Sequence, residues 1–340
     1  MESCVLIPSY RPDGRLIETV AALKGAGFER IIIVDDGSGA EYAHFFTQAE
    51  RSFSAVVLRH SVNMGKGRAL KTGFCYILDR YPSLCAVAVD GDGQHSAAAA
   101  AVAAELAEAN PDALILACRR FLRHKAMPFP NLIGNLSTKA AFFLLTGIRF
   151  ADTQCGLRAY PPAVMRLLCN VAGDRFEFES NTLLAVRQLG LSVVEFDTDV
   201  TYAPSDEYVS TYRRAADSAR IFRCLVNFTL SPLLLGLLSS ILLLCLTSMS
   251  AAPAMNGVTA FFCVLAGKLL LALCSKRKLF GAVYAFSAAA LYGTLFLLLC
   301  AAPLAPSAAF AVLFLPFSLV SLALYRLFNF GARPKLLHLR

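Results

Sequence analysis

The run Asp90-Gly91-Asp92-Gly93-Gln94-His95 contains the residues of this sequence best suited to hold a cation. It directly follows the apolar run Leu84-Cys85-Ala86-Val87-Ala88-Val89, which places both carboxylates at the end of a buried strand. Gly91 and Gly93 let the backbone approach a ligand closely. Two carboxylates and the side-chain amide oxygen of Gln94 suit a hard, octahedral cation, Mg²⁺ or Mn²⁺, that bridges a diphosphate. Spacing alone is a weak signal, because a second Asp-x-Asp, Asp197-Thr198-Asp199, lies in or beside a late strand. A second chemical cluster is Gly65-Lys66-Gly67, a turn whose Lys66 and Arg68 can face phosphate; its plain reading is an exposed helix start. Asp35 and Asp36 can accept hydrogen bonds from a base or a ribose, or serve only as turn residues.

Positioning these groups requires a scaffold, and the hydrophobic pattern supplies one. Short apolar runs at Cys4–Pro8, Arg30–Val34, Ala55–Arg59, Leu84–Val89 and Ala113–Cys118 predict strands; Gly14–Gly25, Ala40–Arg51, Gly67–Arg80 and Ser96–Ala109 predict helices between them. Each helix is long enough for a right-handed crossover, so the expected class is α/β with a mainly parallel sheet covered on both faces. Ligands bind such sheets beyond the carboxyl ends of the strands. Pro8-Ser9-Tyr10, Asp35-Asp36-Gly37-Ser38, Asn63-Met64-Gly65-Lys66-Gly67 and Asp90-Gly91-Asp92 all fall at such ends. No G-x-G-x-x-G follows the first strand and no G-x-x-x-x-G-K-[ST] occurs, which removes the main support for dinucleotide and P-loop folds.

Composition divides the chain. Of 340 residues 56% are hydrophobic, too many for two ordinary soluble domains, and residues 225–275 carry one charged side chain, Lys268, while 282–325 carry none. At roughly 20 apolar residues per span, four transmembrane helices are expected near 225–247, 257–275, 282–302 and 306–327. Arg213, Arg214, Arg220 and Arg223 precede the first, Lys276-Arg277-Lys278 follow the second, and Arg333, Lys335 and Arg340 follow the fourth. The positive-inside rule then puts the N-terminal domain and both termini in the cytoplasm, with a bacterial inner membrane as the expected location. Tyr208 to Arg223 interleaves aromatic and apolar residues with arginines, as a segment lying on a lipid surface does. The net charge of +8 is a topology and headgroup signal and does not point to nucleic acid. No signal peptide is expected at Met1 to Pro8. The 11 cysteines, without CxxC spacing, indicate neither a disulfide framework nor a zinc site.

Six motifs in order carry a resemblance: Ile7-Pro8-Ser9-Tyr10, Val34-Asp35-Asp36-Gly37-Ser38, Asn63-Met64-Gly65-Lys66-Gly67, Asp90 to His95, Asp152-Thr153-Gln154-Cys155-Gly156-Leu157-Arg158 and Phe176-Glu177-Phe178-Glu179. With them the first 207 residues resemble family 2 glycosyltransferases of GT-A fold, in particular the polyprenyl-phosphate sugar transferases related to dolichol-phosphate mannose synthase. The resemblance implies inverting transfer of a hexose from a nucleotide-sugar to a polyprenyl monophosphate. Asp90, Asp92 and Gln94 would hold the metal. Pro8, Tyr10, Asp35, Asp36, Lys66, Asp90 and Gly91 would bind the donor. Arg120, with Arg123, Ser210 and Arg213, would meet the acceptor, and Arg120, Asp152 and Glu179 would join Asp90 and Asp92 in catalysis. Structural ion pairs of Asp152 and Glu179 with Arg158 or Arg175 are the alternative. The chain departs from the family pattern at Asn131-Leu132, where relatives carry an arginine, and at Thr211, where they carry a histidine.

Residues 224–330 resemble the GtrA-like four-helix membrane domain often fused to such transferases, and 331–340 form a basic tail. Competing expectations are transfer to another lipid acceptor and a non-catalytic lipid-linked-sugar transporter or scaffold. Processive polysaccharide synthesis is disfavoured, since its Q-x-x-R-W segment needs a tryptophan and the chain has none.

Overall fold

Cys4–Ser9 forms β1, and Cys4, Val5, Leu6 and Ile7 are fully buried because β1 is an interior strand with helices packed over it. A computed structural model of the chain describes residues 2–119, 138–139, 142–143, 149–198, 219–221 and 336–339. After β1 come α1 (Gly14–Gly25), β2 (Arg30–Asp35), a 3₁₀ turn (Ala40–Tyr42), α2 (Ala43–Phe53), β3 (Val56–Arg59), α3 (Lys66–Arg80), β4 (Ala86–Ala88), α4 (Ala97–Ala109) and β5 (Ala113–Arg119). Beyond them lie β6 (Arg158–Tyr160), α5 (Pro162–Leu168), α6 (Glu177–Leu189), β7 (Ser192–Thr198) and β8 (Leu336–Leu339). The sheet order is β3-β2-β1-β4-β6-β5-β7-β8. All its pairings are parallel except those of β6, which runs antiparallel to β4 and β5.

One sheet face, through Val5, Ile7, Ile31, Ile33, Val87 and Ile115, packs against α1, α2 and α4. Helix α4 is nearly all alanine, the best helix former. Ser96 caps it by accepting a hydrogen bond from the Ala99 N–H (3.1 Å), and Ala99, Ala100, Ala103, Ala104 and Ala107 form its buried stripe. On the other face Phe74 of α3 meets Tyr160 of β6, ring centroids 4.8 Å apart.

The five predicted strands and four predicted helices all form, α1 with the expected bounds and the others with shifted ends. The β4 ladder covers only Ala86–Ala88, although Val89 still donates to the Leu6 carbonyl (3.0 Å). The helix expected from Ala40 opens as the 3₁₀ turn. Two strands were not expected. β6 has three residues, too few to show a period, and β8 arises within the predicted basic tail, pairing Leu336–Leu339 with Val193–Phe196.

The chain divides into two compact units, Met1–Cys224 with Arg333–Arg340 and Leu225–Ala332, and all described residues belong to the first. Among the described residues no helix is long and apolar enough to cross a membrane. The four expected spans lie outside the described residues, as does the interfacial stretch 208–223 apart from the helical residues 219–221.

Candidate active site

Strands β1 to β4 are parallel neighbours, so their carboxyl ends share one edge. Antiparallel β6, in register Ala88↔Arg158, brings the residues just before Arg158 to that same edge. Gly156 consequently sits against Asp90, and a Cβ there would collide with the Asp90 carboxylate. Asp90 Oδ1 meets Lys66 Nζ at 2.8 Å, and the same ammonium meets Glu179 Oε1 at 3.1 Å. Strand end, α3 and α6 thus converge on one largely buried ion cluster. Gly156→Ala is expected to displace Asp90 and to lower activity by about 100-fold without unfolding the domain. A turnover assay beside a melting curve checks this.

The position of Lys66 is built from Asp36. One Asp36 oxygen accepts the Met64 N–H (2.8 Å) and faces His60 Nδ1 (2.7 Å), while the other accepts the Gly65 N–H (2.7 Å). The carboxylate thereby fixes the turn that leads into α3. Gly67 then lies so close to Phe178 of α6 that a Cβ would overlap it, and the Arg68 N–H donates to the Asp174 carbonyl (2.8 Å). Asp36→Asn replaces an acceptor oxygen with a donor facing N–H or His60. The expected cost is about 2 kcal/mol, measurable by denaturant unfolding. Asp35 accepts the Ser38 N–H (2.9 Å), and Ser38 Oγ in turn accepts the Arg11 N–H (2.9 Å), which ties the ends of β1 and β2 together. Pro8 and Tyr10 at the end of β1 are partly exposed, and the Arg11 guanidinium lies 5.2 Å from the Tyr10 ring centre.

Electrostatics follow from this crowding. Burial would lower the pKa of Lys66, but Asp90 and Glu179 outweigh it and hold the ammonium above its usual range. Burial would raise that of Asp90, yet Lys66 and then His95 pull it below the usual carboxylate range. Asp92 is pushed up to about 6, first by burial and then by the Asp90 charge. Burial lowers the pKa of His95, whose Nε2 is 4.0 Å from Asp90, so its imidazole is neutral at neutral pH.

Asp152 and Glu179 do form ion pairs, but with partners other than the two arginines suggested by the sequence. Asp152, wholly buried, takes Arg119 Nε at 2.6 Å and Nη2 at 3.1 Å, together with the Gln154 N–H at 2.9 Å. Glu179 pairs with Lys66. Arg158 is buried beneath and donates to the carbonyls of Cys155, Thr153 and Glu179 and to Thr182 Oγ1. Arg175 instead reaches Asn63 Oδ1 at 3.2 Å. Gly156 and Arg119 were not assigned from sequence. The Asp152-to-Arg158 motif signalled the first only as part of a pattern, and nothing signalled the second. The expected acceptor residues Arg120, Arg123, Ser210 and Arg213, and the departures at Asn131 and Thr211, lie outside the described residues.

The donor set fits a divalent cation chemically. Asp90 and Asp92 flank one residue at a strand end, and burial, then the Asp90 charge, disfavours ionised Asp92, a cost that a bound cation would offset. Gln94 supplies the adjoining amide, here donating from Nε2 to Asp92 Oδ2 (2.8 Å) while its N–H faces Oδ1 (3.2 Å). Among the described residues no group of three or more His, Cys, Asp or Glu side chains could hold a metal; a cation at the Asp90–Asp92 pair would draw its remaining ligands from the amide and the ligand's own oxygens.

Residues 4–157 match the family model described as glycosyl transferase family 2. The chain is 27% identical over 205 residues to the uncharacterized protein MJ1222 of Methanocaldococcus jannaschii, covering 59% of this chain and 82% of that one. It is 25% identical over 214 residues to the UDP-N-acetylglucosamine–dolichyl-phosphate N-acetylglucosaminyltransferase of Methanococcus voltae, covering 58% and 85%. A crystal structure of S. aureus TarS 1–349 aligns with a TM-score of 0.42 and 14% identity over 68% of this chain and 66%, just under two thirds, of that chain.

Proposed function

We propose that this chain, whose residues 4–157 match the glycosyl transferase family 2 model and whose α/β sheet is mainly parallel, is a glycosyltransferase of GT-A fold that transfers a hexose from a nucleotide-sugar to a polyprenyl monophosphate with inversion. The donor is of the GDP-mannose or UDP-glucose type, extended by the name of the Methanococcus voltae relative to UDP-N-acetylglucosamine. The reaction runs at the cytoplasmic face of a membrane in which residues 224–330 are anchored. The observation carrying this reading is the Asp90, Lys66 and Glu179 cluster, with Asp92 beside it, at the carboxyl edge of the parallel strands. Pairing of β8 with β7 supports the topology: it keeps residues 336–339 on the same side as the domain, which any even number of crossings between them satisfies.

Breaking the anomeric bond leaves negative charge on a diphosphate, and stabilising that charge is the main catalytic task. Asp90, Asp92 and Gln94 would hold Mg²⁺ or Mn²⁺, which supplies Lewis-acid stabilisation of the diphosphate when bound. Lys66 adds a permanently charged donor within the same cleft. The acceptor phosphate, with a second pKa of about 6, is largely ionised at neutral pH and needs positioning more than deprotonation. Asp152 contributes indirectly by fixing Arg119 at the end of β5.

Membranes bearing the protein, incubated with labelled UDP-glucose, GDP-mannose or UDP-N-acetylglucosamine and with dolichyl or undecaprenyl phosphate, are expected to yield labelled lipid with one donor. Absence of label with every pair, or label equally strong with Asp92→Asn, would sink the catalytic reading.

A further inference from the structure

We propose that Lys66 is a built-in counter-ion that bars the acidic pair to a divalent cation until a diphosphate arrives, so that metal and donor bind cooperatively. The inference rests on the donor-and-metal reading above. Its basis is that both prospective ligand carboxylates already have partners within the protein. Asp90 Oδ1 holds the Lys66 ammonium at 2.8 Å, and Asp90 Oδ2 is packed over Gly156. Asp92 receives both the backbone and the side-chain N–H groups of Gln94. A cation arriving alone must therefore displace Lys66 from Asp90 or share Asp90 with it. Sharing sets three positive charges within a few ångströms in a poorly solvated cleft, where repulsion is strong.

A diphosphate changes this balance. Its oxygens accept from the ammonium, which frees Asp90 while adding ligands for the cation. Glu179, 3.1 Å from Nζ, is the second anchor that keeps the ammonium in the cleft once Asp90 is released. Lys66 has little freedom to leave altogether, because it opens α3 directly after the turn that Asp36 fixes. By linkage the metal must strengthen diphosphate binding by the same factor that the diphosphate strengthens metal binding.

Mn²⁺ binding to the full-length protein in detergent, followed by electron paramagnetic resonance with and without UDP or GDP, tests this apart from turnover. The wild type is expected to bind Mn²⁺ weakly alone and at least ~10-fold more tightly with one nucleotide. Lys66→Ala is expected to bind Mn²⁺ alone ~10-fold more tightly than the wild type and to lose most of the nucleotide effect. The double variant Lys66→Ala/Glu179→Gln, which leaves one fewer unpaired carboxylate, should do the same if the single variant folds poorly. Equal Mn²⁺ affinity of the wild type with and without nucleotide overturns the counter-ion role, and so does a folded variant that binds Mn²⁺ alone no better than the wild type. Either leaves the donor reading standing. No Mn²⁺ binding by the wild type with either nucleotide overturns the donor-and-metal reading itself, and the inference with it.

Discussion

Asp92→Asn is expected to lower sugar transfer to lipid by about 100- to 1,000-fold while leaving the metal-free protein as stable as the wild type or more so. The two effects have opposite signs because the Asp92 charge serves the reaction and burdens the fold. In the folded chain burial, and then Asp90, push this carboxyl up to about 6, above the usual carboxylate value. A raised carboxyl pKa means the folded state binds protons more readily than the unfolded one, so above pH ~6 the ionised form costs stability and below pH ~4 it costs none. An asparagine keeps the shape but carries no charge; its one oxygen still accepts the Gln94 backbone N–H, and the Gln94 side-chain amide, turned over, accepts from the new NH2. The stabilisation should thus appear at pH 7.5 and vanish near pH 4. Turnover with labelled donor, read beside thermal melting at both pH values, decides it. Activity within threefold of wild type, or a lowered melting point at pH 7.5, contradicts the assignment.

The ligand-binding edge of the sheet is legible in the sequence, but the contacts across it are not. β1, β2 and β4 are legible because strands buried on both faces read as unbroken apolar runs, as Cys4 to Ile7 and Ile31 to Val34 do. Their polar ends had to lie together once the crossovers were right-handed. β6 escaped notice because it opens on Arg158, a charged residue whose burial makes sense only when the carbonyls of Thr153, Cys155 and Glu179 close around it. Partners of charged groups were misjudged for a similar reason. For Asp152 the sequence offers Arg158 or Arg175 as an ion-pair partner, whereas its partner comes from the strand that ends at Arg119. Lys66 and Glu179 belong to separate motifs of the resemblance, and only the close approach of α3 to α6 at Gly67 and Phe178 makes them a pair. Helical and strand periods report which face is buried; they do not report which charge faces which.

Asp152→Ala is expected to destabilise the domain by about 3 to 5 kcal/mol, the largest stability loss foreseen for a single residue of the site. The cost does not come from a favourable salt bridge, since a buried pair contributes little relative to apolar residues of the same volume. It comes from removing the acceptor that serves the largely buried Arg119 guanidinium and the N–H groups of Arg119 and Gln154. Despite burial, Arg119 and these N–H groups hold the Asp152 carboxyl below the usual range. A depressed carboxyl pKa adds stability that is complete above the unfolded value of about 4 and is lost as pH falls through the folded one. The gap between wild type and Asp152→Ala should therefore be constant from pH 5 to 8 and narrow only in stronger acid. An Arg119→Met/Asp152→Leu double variant removes both charges and should recover much of the loss. Urea unfolding of the two variants separates the possibilities. If the double variant is no more stable than Asp152→Ala, the loss lies in the backbone N–H groups and the cavity instead of the guanidinium deprived of its carboxylate.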